Sequence, residues 1–433
     1  MLASVPTTAK TLDDYIPVVG EERISEIRDL ARPLAGARVL HVNATAFGGG
    51  VAEILGALVP LLSDAGLRAD WQVMKGTDEF FQVTKAMHNS LQGMFIEWTP
   101  EMRELWLHYN RLNAQLFDEE YDFVVIHYPQ PAAIPSFLTE LGGHRPPGRW
   151  VWRCHIDLTQ AQAQVWDFLR SYVEAYDGAI FTLADYVKED LRDPQVFTIP
   201  PAIDPLSPKN ADLPPDTVEA IRRRYGQDPQ RPFIAQISRF DPWKDPLGAI
   251  EVYRTVKREV PELQMVLIAS MAHDDPEGWA WYERTVRRAG DDYDILILSN
   301  LNGVGNVEVN AFQRSAAVVM QKSVREGFGL VVSEALWKGR PVVAGNVGGI
   351  PLQIVNGKTG YLASTVEECA QRVLELLRDP ERAQAMGLAG REFVRDNFLI
   401  TRYLRDYLLV FRALAHIDTA PRSGLSPLAR AGR

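Results

Sequence analysis

Residues 321–360 of this 433-residue chain read QKSVREGFGLVVSEALWKGRPVVAGNVGGIPLQIVNGKTG. An apolar run at residues 316–320 precedes this segment and predicts a strand. The residues after Gly327-Phe328-Gly329 predict a helix that ends near Trp337. A helix N-terminus offers unpaired backbone N–H groups, and glycines let a phosphate approach the backbone closely. The segment therefore predicts an anion-binding turn.

Two glutamates, Glu326 and Glu334, enclose this turn. Eight helical steps span roughly 12 Å, so their carboxylates could hydrogen-bond hydroxyl groups at either side of a diphosphate. A second glycine turn at residues 348–351 follows the next predicted strand and faces the same edge of a parallel sheet. Spacing alone is more typical of a solvated helix face, but the two glycine turns favour a binding site.

This pair of glutamates resembles the motif of the retaining nucleotide-sugar glycosyltransferases of family four. The resemblance implies an α/β fold of the GT-B type, in which two doubly wound, Rossmann-like parallel-sheet domains face a central cleft. It further implies that Glu326 holds a sugar hydroxyl and that Glu334 holds a ribose hydroxyl.

The wider chain, to about residue 416, is similar to the glycosyltransferring trehalose synthases. The similar segments are DDYIPVVG at 13–20, FGGGVAEIL at 47–55, WRCHID at 152–157, SRFDPWKDP at 238–246, VNAFQRS at 309–315 and VREGFGL at 324–330. The resemblance implies a retaining hexosyltransferase that reversibly makes trehalose from a nucleoside-diphosphate glucose (ADP-, UDP- or GDP-glucose) and glucose. Two departures are Tyr128, where an aspartate is expected, and Gln353, which replaces a glutamate common in the broader family.

Composition excludes several other classes of protein. Apolar residues make up 46% of the chain and charged residues 24%, which is ordinary for a folded protein. A net charge of −10 argues against a nucleic-acid partner. There is no apolar run of 18 residues and no apolar segment near residue 1, so we expect neither a membrane span nor secretion. The only two cysteines, Cys154 and Cys369, are far apart in sequence, which is typical of a reduced cytoplasmic protein.

Strand-like and helix-like segments alternate twice along the chain, which predicts two domains with parallel sheets. The N-terminal domain is predicted to span residues 1–205 and to be joined by a C-terminal helix at 401–416. The second domain, which would bind the nucleotide sugar, is predicted at 206–400. A proline-rich segment at residues 200–215 predicts the hinge, and residues 417–433 predict a disordered tail.

Two parts of the first domain carry candidate site residues. Gly48, Gly49 and Gly50 follow the first main strand; without the G-x-G-x-x-G spacing they fit a tight turn as well as a ligand loop. Polar side chains follow two later strands, and the carboxyl ends of parallel strands face one crevice. These candidates for binding the acceptor sugar are His127, Gln130, His155 and Asp157. The resemblance places a histidine of the cleft at His155 and acceptor contacts near Asp157.

In the second domain, Arg239 and Lys244 follow the first strand. Guanidinium and ammonium groups suit a diphosphate, although two charges in an exposed loop are also common. Both positions resemble the phosphate-gripping residues of the family. The predicted catalytic residues are Glu326, His155, Arg239 and Lys244. The predicted donor-binding residues are Gly48, Gly49, Gly50, Arg239, Lys244, Arg325, Glu326, Gly327, Phe328, Gly329 and Glu334.

The sequence predicts neither a metal site nor a tightly bound cofactor. Asp292-Tyr293-Asp294 spells the D-x-D of metal-dependent sugar transferases, but it precedes a strand and so lies at the wrong edge of the sheet. Mg²⁺ is expected only as a nucleotide counter-ion. Two alternative functions stay open: a retaining trehalose phosphorylase, and a non-catalytic protein that binds nucleotide sugars. A homodimer is also compatible with the sequence.

Overall fold

The computed structural model of the chain describes residues 1–47, 49–269, 271 and 276–416. Contacts divide the chain into two compact units: Met1–Pro201 with Ile400–Arg433, and Ala202–Leu399. The first is called the N-terminal unit below and the second the C-terminal unit. Gly48 and the predicted disordered tail at 417–433 lie outside the described residues.

Seven strands form the sheet in the described part of the N-terminal unit, in the order β1-β3-β2-β4-β5-β6-β7. The pairing is parallel except where β1 meets β3. The strands are β1 (Ala3–Ser4), β2 (Arg38–Asn43), β3 (Arg68–Val73), β4 (Phe123–His127), β5 (Arg149–Arg153), β6 (Gly178–Phe181) and β7 (Gln195–Thr198). The helices are α1 (Ile16–Val19), α2 (Glu21–Ala31), α3 (Gly50–Asp64), α4 (Asp78–Leu91), α5 (Pro100–Gln115), α6 (Ile134–Gly142) and α7 (Ala163–Val173).

The strand order of this sheet reverses between β2 and β4. From β2 the chain first moves to β3 on one side, and then crosses to β4 on the other. Open α/β sheets bind ligands at such a reversal, beyond the carboxyl ends of the strands. All five residues of β4 are buried, as expected for a central parallel strand covered on both faces. The loops after β2 and β4 therefore border the crevice of this unit.

The C-terminal unit repeats this plan with a six-stranded parallel sheet among its described residues, in the order β10-β9-β8-β11-β12-β13. Its strands are β8 (Phe233–Ile237), β9 (Gln264–Ala269), β10 (Ile295–Ser299), β11 (Val318–Gln321), β12 (Val342–Gly345) and β13 (Tyr361–Ala363). Its helices are α8 (Pro215–Arg224), α9 (Pro246–Lys257), α10 (Pro276–Ala289), α11 (Asn306–Ser315), α12 (Leu330–Trp337), α13 (Val366–Arg378) and α14 (Pro380–Asn397). The reversal falls between β8 and β11.

The last described helix, α15 (Ile400–Leu414), belongs to the N-terminal unit. The apolar face of this helix is buried throughout. The residues on this face that are each 0% exposed are Tyr403, Leu404, Tyr407, Leu408 and Phe411. The Phe411 ring stacks on that of Phe123 in β4, with 4.6 Å between the ring centroids. Within the described ranges, no helix has the length and apolar character needed to cross a membrane.

The strands predicted from the sequence correspond to β2 through β12, with ends that shift by at most two residues. They were predicted at residues 37–43, 70–74, 122–127, 150–154, 178–181, 196–199, 232–237, 264–269, 294–298, 316–320 and 341–344. Two strands, β1 and β13, have no counterpart in the prediction, because they contain only two and three residues. Such short strands carry too little alternation to be recognised. The predicted helix after Gly329 is confirmed as α12, which ends at Trp337 as expected.

Asp294 of the D-x-D sequence lies just before β10, at the amino ends of the strands. Its carboxylate accepts hydrogen bonds from Arg231 Nη1 at 2.6 Å and from Lys257 Nζ at 2.6 Å. These contacts, led by the hydrogen bond from Arg231, lower the pKa of Asp294 to about 2. The second aspartate of the motif therefore has a structural role within the C-terminal unit.

We predict that Asp294→Asn lowers the free energy of unfolding by about 1–2 kcal/mol at neutral pH, because two cations lose their anionic partner. The native pKa lies below the unfolded value, so this stabilisation is present above about pH 4 and is lost as the pH falls toward 2. Urea unfolding at several pH values measures the difference. Asp291→Asn, at an exposed neighbour, serves as the control, and an equal effect of both substitutions would contradict the prediction.

Candidate functional site

An ion pair joins the two strand ends that border the crevice of the C-terminal unit. Lys244 lies in the loop after β8 and Glu326 in the loop after β11. Lys244 Nζ lies 2.5 Å from Glu326 Oε2, and Ser323 Oγ donates to the same oxygen at 3.1 Å. Glu326 is only 8% exposed. The structure thus brings together two of the predicted catalytic residues at the reversal of strand order.

The loop that carries Lys244 is held by side-chain caps. Asp241 accepts a hydrogen bond from the backbone N–H of Lys244 at 3.0 Å, and Gln236 donates to the Lys244 carbonyl at 2.9 Å. Asp245 has a φ of 44° and caps α9 by accepting from the Gly248 N–H at 2.9 Å. These contacts fix the backbone from which the Lys244 ammonium projects.

The two predicted glycine turns pack directly against each other. Gly329 has a φ of 82° and precedes the first residue of α12, so an L side chain would be strained there. A Cβ added at Gly349 would lie 2.7 Å from the Gly327 carbonyl oxygen and 2.8 Å from Phe328 Cα. Glycine at position 349 is therefore required for the close approach of the two turns.

Gln353, one of the departures from the family pattern, holds the first glycine turn in place. The fully buried side-chain amide of Gln353 donates to the Phe328 carbonyl at 2.5 Å and to the Gly329 carbonyl at 3.3 Å. Its oxygen accepts from the Ser333 N–H at 3.0 Å and from the Ser333 hydroxyl at 2.5 Å. An ionised glutamate has no donor for the two carbonyls. The glutamine therefore acts as a structural bridge between the turn and α12.

Two arginines of the predicted donor site differ in their surroundings. The Arg239 side chain is 51% exposed, and its Nη2 lies 3.8 Å from Asp241 Oδ2. The Arg325 guanidinium lies over the Trp243 ring, 5.3 Å from the ring centroid. Arg239 is thus a cation with much of its surface available to a ligand, whereas Arg325 is held against an aromatic ring.

Glu334 is enclosed within the C-terminal unit. Lys209 Nζ lies 3.0 Å from Glu334 Oε1 as an ion pair, and Gln313 donates to Oε2 at 3.0 Å. Burial alone would raise the pKa of Glu334, but the charges of Lys209 and Lys338 outweigh it and the pKa is lowered. The carboxylate is only 1% exposed, so a ribose could reach it only if Lys209 moved. Its role in holding ribose stays a prediction.

In the N-terminal unit, the predicted glycine loop follows β2. Gly49 precedes α3 with an extended φ of −159°, and a Cβ built there would meet nothing within 4 Å. Any residue could adopt this backbone, so the described structure does not itself require glycine at position 49. A ligand that approaches the backbone closely would still be a reason for glycine at this position. Gly50 is the first residue of α3.

The predicted histidines meet at the carboxyl ends of β4 and β5. His127 Nδ1 lies 3.0 Å from His155 Nε2, and the two rings stack with 5.3 Å between centroids. A third histidine, His41 of β2, was not identified from the sequence; its Nδ1 lies 2.9 Å from His127 Nε2. His127 is only 1% exposed and both of its ring nitrogens are engaged. Since both nitrogens already face other histidines, a contact of His127 with an acceptor sugar stays a prediction.

The other predicted acceptor residues, Gln130 and Asp157, follow β4 and β5, and Tyr128 lies beside His155. Tyr128 has a φ of 67°, rare for a residue with a side chain, and its ring lies 4.8 Å from the His155 ring. The Gln130 carbonyl accepts from Asn110 at 2.9 Å. Asp157 is 7% exposed, and its Oδ1 accepts from the Thr159 hydroxyl at 2.6 Å. That oxygen serves the local turn, and a contact of Asp157 with the acceptor stays a prediction.

Comparison with known proteins identifies the family of the chain. Residues 41–188 match the family described as "Trehalose synthase, N-terminal domain", and residues 217–393 match "Glycosyl transferases group 1". The chain is 53% identical to the trehalose synthase of Rubrobacter xylanophilus over 417 residues, which cover 96% of this chain and 99% of that protein. The chain belongs to the trehalose synthase family. The resemblance stated from the sequence motifs is thus confirmed.

More distant relatives agree with this assignment. The trehalose phosphorylase of Pleurotus pulmonarius is 27% identical over 89% of this chain and 58% of its own length. The solved α,α-trehalose-phosphate synthase (UDP-forming) from Burkholderia xenovorans, in complex with glucose-6-phosphate, superimposes with a TM-score of 0.67 at 15% identity. That alignment covers 88% of this chain and 100% of the other, and at this identity it shows the fold alone. The two parallel-sheet units are those of a GT-B glycosyltransferase, as predicted.

We predict that Gly349→Ala destabilises the C-terminal unit by about 1–3 kcal/mol. The added methyl group would clash with backbone atoms, which cannot move away by a change of side-chain rotamer. Differential scanning calorimetry should show a fall of several degrees in the unfolding temperature. Gly56→Ala, in the middle of α3 with open space around its Cβ, is the control and should be neutral or stabilising. An unchanged Gly349→Ala transition would show that the two turns are not in tight contact.

Proposed function

We propose that this protein is a retaining hexosyltransferase that makes trehalose from a nucleoside-diphosphate glucose and free glucose, in a reversible reaction. The observation that carries the proposal is the Lys244–Glu326 pair at the strand-order reversal, beside a glycine turn that opens α12. Membership of the trehalose synthase family supports the identity of the product. We also propose a cytoplasmic location, since both cysteines are buried and unpaired.

The first chemical task is to hold the diphosphate and stabilise its charge as it leaves. Arg239 is half exposed at the ligand edge, and Lys244 follows it in the same loop. We propose that Lys244 exchanges part of its contact with Glu326 for the phosphate when the donor binds. The amides of Gly327 to Gly329 would add further hydrogen bonds. Preorganised donors of this kind can each contribute on the order of 3 kcal/mol.

The second task is to hold the glucose whose anomeric carbon reacts. Glu326 carries a carboxylate that, once Lys244 contacts phosphate, can accept a hydrogen bond from a sugar hydroxyl. We propose that the acceptor hydroxyl attacks from the face that the diphosphate leaves. The bond from C1 to the phosphate oxygen breaks, the bond from C1 to the acceptor oxygen forms, and the departing phosphate takes the acceptor proton. His155 would contact the sugar.

Mg²⁺ enters this proposal only as a counter-ion of the free nucleotide. We propose ADP-, UDP- and GDP-glucose alike as donors, because the residues that contact the nucleotide base are not identified. The nearest rival is a retaining trehalose phosphorylase, in which inorganic phosphate would occupy the position of the diphosphate between Arg239 and Lys244. The likeness to the Pleurotus phosphorylase favours keeping this alternative.

One assay separates the two reactions. The enzyme is incubated with trehalose and ADP, UDP, GDP or inorganic phosphate, and the products are resolved by chromatography. We expect nucleotide-glucose and free glucose from at least one nucleotide. Glucose 1-phosphate formed from phosphate alone would establish the rival, and donor binding without any product would favour a protein that only binds nucleotide sugars.

We predict that Glu326→Ala and Arg239→Ala each reduce kcat/KM for trehalose formation at least about a hundredfold, because each removes a group that acts on the donor. Circular dichroism and thermal unfolding check that the fold is kept. Arg287→Ala, an exposed arginine of α10, is the control and should retain full activity. Near-normal rates in either site variant would remove the role assigned to that residue.

We predict that Gly49→Ala raises KM for the donor by about tenfold while the unfolding temperature stays within a degree or two. The added Cβ meets no atom of the described structure but would obstruct a phosphate or sugar that approaches the backbone. Steady-state kinetics with the preferred donor measure the effect. An unchanged KM would indicate that the glycine loop is only a turn.

A further inference from the structure

Three histidines of the N-terminal unit form a chain of ring-to-ring contacts. His41 Nδ1 lies 2.9 Å from His127 Nε2, and His127 Nδ1 lies 3.0 Å from His155 Nε2. His41 is 0% exposed and His127 is 1% exposed, whereas His155 is partly exposed. The chain therefore begins in the core and ends at the candidate sugar site.

The register of the parallel sheet produces this arrangement. His41 in β2 pairs with Val125 of β4, which comes two residues before His127. His127 pairs in turn with Arg153 of β5, two residues before His155. Side chains two residues apart on a strand lie on the same face of the sheet. All three rings are consequently brought to one face in adjacent positions.

The three rings are neutral at physiological pH. Burial lowers the pKa of His41 to about 3, and it lowers the pKa of His127 and of His155 well below the usual range. The Arg153 guanidinium adds to the effect on the last two. Among the described residues, two phenols also face the rings: the Tyr407 ring of α15 lies 5.7 Å from that of His41, and the Tyr128 ring lies 4.8 Å from that of His155, between ring centroids. Each imidazole thus carries a single N–H.

With one N–H on each ring and two bonds between rings, only two arrangements of protons satisfy both bonds. Either all three rings carry the proton on Nδ1, or all three carry it on Nε2. These arrangements differ at the buried end of the chain, where His41 Nε2 has no hydrogen-bond partner among the described residues. The first arrangement leaves a lone pair there, and the second leaves a buried N–H. An orphaned buried donor is the rarer and less favourable of the two.

We propose that His41 and His127 are positioning residues that hold His155 as the Nδ1–H tautomer, so that Nδ1 donates a hydrogen bond to a hydroxyl oxygen of the bound sugar. His127 already engages Nε2 of His155, so Nδ1 is the nitrogen left for a ligand. The inference rests on the proposed function in one respect, that the ligand beside His155 is a sugar. It assigns a role to His41, which the sequence motifs do not include.

The first test is direct and needs no substrate. Long-range ¹H–¹⁵N spectra of protein labelled with [¹⁵N]histidine show which ring nitrogen carries the proton, and His→Phe variants at each of the three positions assign the signals. We expect three neutral rings with the proton on Nδ1 at neutral pH. A proton on Nε2 of His155, or an imidazolium at that position, would overturn the proposal.

The second test reverses the chain at its buried end. His41→Asp places a carboxylate, which can only accept, against His127 Nε2, so His127 must donate there and accept at Nδ1 from His155 Nε2. His155 should then shift toward the Nε2–H tautomer, and kcat/KM for trehalose formation should fall about tenfold. His41→Asn supplies an amide N–H near the position of Nδ1 and should recover most of the loss. His108→Phe, at an exposed histidine of α5, is the control and should match the wild type in both measurements.

These outcomes separate the inference from the proposed function. If the wild type makes trehalose and His41→Asp changes neither the tautomer of His155 nor the rate, the positioning role is overturned and the function stands. If no donor gives trehalose, the function fails, and the tautomer spectra of the wild type still decide how His155 is protonated. Should His41→Asp fail to fold, the wild-type spectra alone keep the claim testable.

Discussion

The reversal of strand order in each sheet is the constraint on which the rest of the site depends. At a reversal, the loops that follow the two central strands run to opposite sides of the sheet. A crevice is left between these loops, beyond the carboxyl ends of the strands. In the C-terminal unit, the Lys244–Glu326 ion pair joins the loops after β8 and β11. In the N-terminal unit, the His41–His127 contact joins β2 and β4. The same winding therefore positions both groups of candidate residues.

The two crevices differ in the charge of the side chains that border them. In the C-terminal unit, the Lys244–Glu326 and Lys209–Glu334 pairs place cations and carboxylates together. Such a region can exchange an internal partner for a phosphate or a hydroxyl. In the N-terminal unit, burial and the Arg153 guanidinium keep the histidines neutral. Neutral rings suit hydrogen bonding to a sugar, which carries no charge itself.

Much of the candidate site could be predicted from the sequence because its elements are local. A strand, a glycine turn and a helix start occur within a few residues of one another, so Gly329 and α12 could be identified directly. His155 and Lys244 were identified because each follows a predicted strand. The burial of His127 could not be predicted, since its exposure depends on neighbouring strands that the sequence does not order. His41 was missed because it lies inside a strand, where a histidine ordinarily indicates only packing.

The sequence by itself determined the two-fold series of strands and helices, the glycine turns and the family, since these depend on periodicity and on short motifs. Only the tertiary structure decided which side chains meet. Gln353 bridges the first glycine turn and α12, Lys209 encloses Glu334, and three histidines form one chain. The reason is that these contacts arise from strand register and helix packing between residues distant in sequence, and no local pattern encodes those.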